Sequence, residues 1–90
     1  MNQVAEEEIE VTNPLGLHIK PSEMIAKVAI QFRSAVTIAH GPDVVNARSP
    51  VSLTSLGAGP GSWLKIRAEG PDADAAVKAI AALFRTNFGE

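Results

Sequence analysis

The chain of 90 residues has no cysteine, which excludes a disulfide framework, a thiol nucleophile and thiolate metal sites. Aromatic residues are scarce, at 4%, and no aromatic pair interleaves with basic residues to give bases a stacking platform. Positive charge is not in excess either: the formal net charge is -2, whereas a nucleic-acid binder usually carries a basic stripe. Nucleic acid is therefore not an expected partner. Long apolar runs are missing. The longest, 79–84, falls well short of the roughly 20 residues that cross a bilayer, so no membrane insertion is expected. Glu6, Glu7 and Glu8 stand where a secretion signal would carry positive charge before an apolar run; the cytoplasm is the expected location. Glu6, Glu8 and Glu10 have no histidine beside them, and no glycine-rich loop leads into a helix with a lysine. Neither a metal nor a nucleotide cofactor is expected.

What is present fits one domain over residues 1–90, with 46% hydrophobic and 20% charged residues. From Ala5 to Thr12 the chain alternates, with Glu6, Glu8 and Glu10 on one face, and reads as a half-buried strand. Asn13-Pro14-Leu15-Gly16 breaks it. Pro21 suits the first position of a helix whose buried face is Ile25, Val28, Ala29 and Phe32. Ser34–His40 and Val44–Ala47 form a hairpin around Gly41-Pro42-Asp43. Ser49-Pro50 opens a short helix that stops at Gly57. Trp63–Glu69 alternates again, with Leu64, Ile66 and Ala68 inward. Asp72 and Asp74 suit capping of a last helix whose stripe is Ala73, Ala76, Val77, Ile80, Phe84 and Phe88. The order β-α-β-β-α-β-α is that of an α+β open-faced sandwich. It also fits a ferredoxin-like module, and hydrophobic period alone does not separate the two.

His18 is the residue with chemistry to offer. Free imidazole titrates near neutrality, at roughly pH 6.5, so both protonation states are within reach. At a helix N-terminus the unpaired amides and the macrodipole disfavour imidazolium and hold anions. A neutral ring nitrogen there is a nucleophile for phosphorus, and Lys20 adds positive charge to the same space. The competing reading is that His18 merely finishes the helix end. His40, beside a hairpin turn with no partner nearby in sequence, reads as solvated. Ser49 accounts for itself as an N-cap, worth about 1 kcal/mol; a phosphoryl group there would place a dianion at a helix N-terminus.

Gly16-Leu17-His18-Ile19-Lys20-Pro21 resembles the active-site motif of the HPr family, histidine phosphocarriers of the bacterial phosphoenolpyruvate:sugar phosphotransferase system. Asn46-Ala47-Arg48-Ser49 is similar to that family's segment before its second helix, where some members carry a regulatory serine. Ser55-Leu56-Gly57, Gly61, Gly70 and Phe88-Gly89-Glu90 follow in matching order, so the resemblance spans nearly the whole chain. It implies a four-stranded antiparallel sheet with three helices on one face. It implies that His18 takes a phosphoryl group on Nδ1 from enzyme I, charged by phosphoenolpyruvate, and passes it to a histidine of an enzyme IIA-type acceptor. Such a carrier forms a covalent intermediate without being a stand-alone enzyme. Lys20 would stabilise the phosphoryl group, Leu15, Ile19 and Val51 would form an apolar docking rim, and Ser49 would be a site for an HPr kinase/phosphorylase. A monomer suits a shuttle that meets several partners.

The chain departs from the family at three places. Lysine at position 20 replaces the usual arginine and loses the planar bidentate fork. Ile19 and Ser22 replace small residues, Ser22 offering a hydroxyl donor. Pro50, Val51 and Thr54 follow Ser49 where regulated members carry larger flexible hydrophobes. Two other functions compete with the relay: a regulatory HPr-like docking module that controls an enzyme or transcription factor, and a plain α+β ligand-binding or structural domain. Retention of a nucleophile favours the relay, since docking alone does not need one.

Overall fold

Alternation gives each strand one apolar and one polar stripe, and antiparallel pairing lines like stripes up across the sheet. The computed structural model of the chain describes residues 2–90. Its strands are β1 (Gln3–Glu10), β2 (Ala35–His40), β3 (Asp43–Asn46) and β4 (Trp63–Gly70), in the order β1-β4-β2-β3 with every pair antiparallel. Val36, Ile38, Leu64, Ile66 and Ala68 point into the core and are buried. On the opposite face Glu6 stands across from Arg67 and Glu8 from Lys65; the Glu6–Arg67 pair closes at 3.3 Å. The acidic stripe on β1 is thus neutralised in part by its neighbour strand. A ferredoxin-like order would put β1 and β3 at the centre, whereas here both are edges. The fold is the open-faced sandwich, a four-stranded antiparallel sheet with three helices on one face.

Helices α1 (Ile19–Ala29), α2 (Pro50–Ser55) and α3 (Ala73–Arg85) cover the apolar face, and a 3₁₀ turn, Asn87–Gly89, ends the chain. Ile25, Ala29, Leu53, Ala76 and Ile80 are fully buried against the sheet. Three details differ from the sequence expectation. Pro21 is the third residue of α1, not the first; any of the first-turn N–H groups lacks an intrahelical acceptor, so proline is tolerated there equally well. Phe32 lies beyond the end of α1 and is half-buried, packed against the core from the loop. Phe88 is buried as expected, but not as part of α3, which stops at Arg85. It turns back in a left-handed backbone (φ 56°) and meets Phe84 edge-on, with ring centroids 4.8 Å apart.

Asp72 also acts differently. Its side chain does not cap α3. It accepts from the Ser34 hydroxyl (2.6 Å) and from the backbone N–H groups of Ser34 (2.9 Å) and Arg33 (3.0 Å), latching the β4–α3 turn to the start of β2. Asp74 pairs with Lys78 at 2.9 Å within α3. The Ser34 hydroxyl, then the Arg33 amide, hold the Asp72 carboxyl below the ordinary carboxylate range. Its folded pKa is therefore below the unfolded one, and the latch is fully stabilising above about pH 4 and lost as the pH falls through the folded value. Asp72→Asn is expected to unfold at a lower temperature than wild type at pH 7, with the gap closing as the pH drops from about 5 to about 2. Thermal unfolding followed by circular dichroism across that range checks this; a gap that stays constant refutes it.

Candidate functional site

The loop from β1 to α1 is shaped by backbone constraints before any chemistry enters. Gly16 has φ +64°, a conformation L side chains rarely adopt. A Cβ there would overlap the Ala58 carbonyl and come within 2.8 Å of the Gly59 Cα. The loop is pinned on both sides of it: the Leu17 N–H donates to the Ala58 carbonyl at 2.9 Å, and the Asn13 side-chain amide donates to the Gly16 carbonyl at 2.7 Å. Asn13 is buried, 1% exposed, so this amide is a structural strut.

His18 follows as the N-cap residue of α1, in extended backbone (φ -75°, ψ -176°), but its ring makes no capping bond. Its Nε2 instead lies 2.6 Å from a carboxylate oxygen of Glu90. The other Glu90 oxygen accepts from the Asn13 amide at 3.1 Å. The hydrogen bond from His18 holds the Glu90 carboxyl below the ordinary carboxylate range; Asn13 and the charges of His18 and Lys20 act in the same direction, against partial burial. The His18 side chain is 30% exposed, and it borders an open cleft of about 290 Å³ with Leu15, Leu17, Thr54 and the Gly57–Gly59 backbone. Nδ1 makes no hydrogen bond to any described residue. The amides of Ile19 and Lys20, the first two of α1, have no backbone acceptor among the described residues.

The remaining candidate residues fall into two groups. Leu15 (72% exposed) and Ile19 (50%) flank His18, and Val51 (77%) stands on α2 one turn before Thr54, which lines the His18 cleft. Lys20 is exposed and lines a separate apolar groove between α1 and α2, shared with Met24, Lys27, Ile30, Arg48 and Pro50. Its charge nonetheless reaches Glu90. Ser49 caps α2: its oxygen accepts from the Ser52 N–H at 3.2 Å and its proton goes to the Ser52 hydroxyl at 2.9 Å.

Ser22 and His40 are corrected by the structure. Ser22 is fully buried, accepts from the Thr54 hydroxyl at 3.1 Å, and points toward the Leu17 carbonyl; it joins α1 to α2 and is not free to donate to an anion. His40 is half-buried, and its Nδ1–H donates to the Leu56 carbonyl at the end of α2 (3.1 Å). Proximity in sequence did not show this, because the acceptor lies 16 residues on. Glu90 and Asn13 are the site residues that reasoning on the sequence missed. Glu90 is separated from His18 by 72 positions, and a terminal Gly-Glu pair has no spacing signal of its own. Among the described residues no group of three His, Cys, Asp or Glu side chains converges to hold a metal, and no helix is long and apolar enough to cross a membrane.

Comparison with known proteins places this arrangement. Residues 5–86 match the family model described as the PTS HPr component phosphorylation site. The chain is 37% identical over 82 residues to the phosphocarrier protein HPr of Treponema pallidum, covering 91% of this chain and 93% of that one. It is 35% identical over 85 residues to the phosphocarrier protein NPr of Shewanella violacea, covering 94% and 93%. Among solved structures, a crystal structure of HPr from Thermoanaerobacter tengcongensis superposes with a TM-score of 0.91 at 36% identity, covering 96% of this chain and 97% of that one.

Proposed function

The chain belongs to the HPr family of phosphotransferase-system phosphocarriers, and from that premise we propose that His18 is the residue that carries the phosphoryl group. The donor is enzyme I, itself charged by phosphoenolpyruvate, and the acceptor is a histidine of an enzyme IIA-type protein. The observation that carries this reading is the His18 ring itself, bordering an open cleft, with Nδ1 and the adjacent helix N-terminal amides unpartnered among the described residues.

The chemistry follows from that arrangement. The Nδ1 lone pair attacks phosphorus in line, and the departing nitrogen of the donor takes the electrons of the old N–P bond. The Ile19 and Lys20 amides and the α1 dipole receive the phosphoryl oxygens without a metal. Lys20 adds a mobile ammonium whose single point charge replaces the family's bidentate guanidinium. Leu15, Ile19 and Val51 supply apolar area for docking, and the partner completes the transfer site by positioning. Modification of Ser49 by an HPr kinase/phosphorylase would first break the Ser49–Ser52 pair that caps α2. A module that acts by docking alone would have no use for an unbonded imidazole nitrogen.

Incubation with phosphoenolpyruvate and enzyme I of its own organism is expected to add one phosphoryl group, acid-labile and base-stable, mapped by mass spectrometry to His18. A chain that stays unlabelled, or is labelled elsewhere, refutes the reading.

A further inference from the structure

The open face of the sheet carries an indole that the phosphoryl relay does not use. The chain has three phenylalanines and one tryptophan. Phe84 and Phe88 are buried and Phe32 packs half-buried against the core, whereas Trp63 is 62% exposed. Alternation along β4 puts position 63 on the outward stripe with Lys65, Arg67 and Glu69, so no demand of the core explains an aromatic residue there. A single exposed apolar side chain is ordinary, but Trp63 is not single. It lines a cleft of about 270 Å³ with Glu8, Ala39, Gly41 and Lys65. Val44, also exposed, stands across from Ala39 on the same face. An aromatic residue in an apolar strip with a charged rim is the usual make-up of a contact surface.

The rim has a sign. The outward stripes of β1 and β4 hold four carboxylates, Glu6, Glu8, Glu10 and Glu69, against two cations, Lys65 and Arg67. Arg67 serves both Glu6 and Glu69, each at 3.3 Å. Glu8 and Glu10 make no ion pair among the described residues, although Lys65 stands across from Glu8. Glu10 is the direct cross-strand partner of Trp63, and side chains so placed start about 5 Å apart. A flat cation lying on the indole therefore reaches the Glu10 carboxylate with its edge. A guanidinium can stack and fork at once, whereas an ammonium acts only as a point charge.

From this placement we propose that Trp63, Ala39 and Val44, rimmed by Glu8 and Glu10, form a second docking surface. Its occupant is an arginine-bearing segment of a partner protein, the guanidinium stacked on Trp63 and paired with Glu10. The His18 cleft borders α1 and α2, which cover the other face of the sheet, so a partner held here leaves the phosphoryl route open. The proposal does not depend on the phosphocarrier reading.

The probe is a short capped peptide of alternating valine and arginine, with a control in which glutamate replaces arginine. Binding is followed at low salt by the fluorescence of the one tryptophan and by ¹⁵N–¹H amide shifts. The arginine peptide is expected to shift residues 8–10, 39–44 and 63–65 and to bind at least about 10-fold more tightly than the control. Trp63→Ala should weaken it at least about 10-fold, and Trp63→Phe, which keeps an aromatic face, by less than about 5-fold. Glu10→Gln should cost up to about 5-fold, less as salt is added. Both side chains are exposed, so these variants open no cavity. Four results overturn the proposal: no shifts with the arginine peptide in excess, equal binding of the two peptides, shifts confined to α1 and α2, or Trp63→Ala binding within twofold of wild type. Shifts of the same residues on concentrating the chain alone would make a second copy the occupant, and overturn it too.

Discussion

His18→Ala is expected to keep its fold and lose phosphoryl acceptance by at least about a thousandfold, since a covalent carrier without its nucleophile has no second route. Retention of the fold follows from what the ring does not do. It makes no capping bond to α1, its one side-chain hydrogen bond among the described residues goes to Glu90, and it is 30% exposed. Removing it creates no core cavity, so the unfolding free energy should stay within about 0.5 kcal/mol of wild type. The helix start is unaffected because the His18 carbonyl, not its ring, accepts the Ser22 N–H at 3.2 Å. Two measurements on one preparation check this: urea unfolding and intact-mass analysis after incubation with enzyme I and phosphoenolpyruvate. Labelling at the wild-type rate would remove His18 from the mechanism, whatever the stability.

Gly16→Ala should do the reverse, damaging the fold first and the chemistry through it. A Cβ in the left-handed region costs about 1–2 kcal/mol, and overlap with a packed backbone group adds about 1–3 kcal/mol. The obstacle is the Ala58 carbonyl, with the Gly59 Cα 2.8 Å away, and a backbone cannot swing aside as a side chain can. The same carbonyl accepts the Leu17 N–H, so relief of the clash breaks the bond that anchors the residue before His18. The sum, about 2–5 kcal/mol, is a large share of the roughly 5–15 kcal/mol that stabilises a domain. The denaturation midpoint should fall accordingly, and acceptance should slow even where the variant is still folded. A midpoint unchanged from wild type would show that the loop rearranges freely.

Against these two expectations the legibility of the sequence can be judged element by element. The strand faces were legible because side chains alternate with period two whatever the partner: Leu64, Ile66 and Ala68 were expected inward and are buried. The Ser49-Pro50 helix start was legible because capping is local, and Ser49 accepts from Ser52 three residues on. Hydrophobic period did not distinguish this sheet order from a ferredoxin-like one, because both bury the same stripes. Asp72 was read as a local cap and is a long-range latch to Ser34, 38 residues away. Phe88 was placed on the right surface for the wrong reason, since a buried phenylalanine satisfies a helical stripe and a left-handed hook equally.

The sequence by itself determined where a nucleophile could stand. Gly16, His18 and Pro21 lie within six residues, and a turn, a helix start and an imidazole between them are properties of neighbours. Only the tertiary structure decided what faces that imidazole. The sheet order brings the last turn of the chain beside the first loop, and Asn13, Phe88 and the left-handed hook put the Glu90 carboxylate on Nε2. Local patterns record dihedral preferences and burial, which each residue feels from its own neighbours. A contact across 72 positions is recorded in no local pattern, because it exists only once the intervening chain has packed.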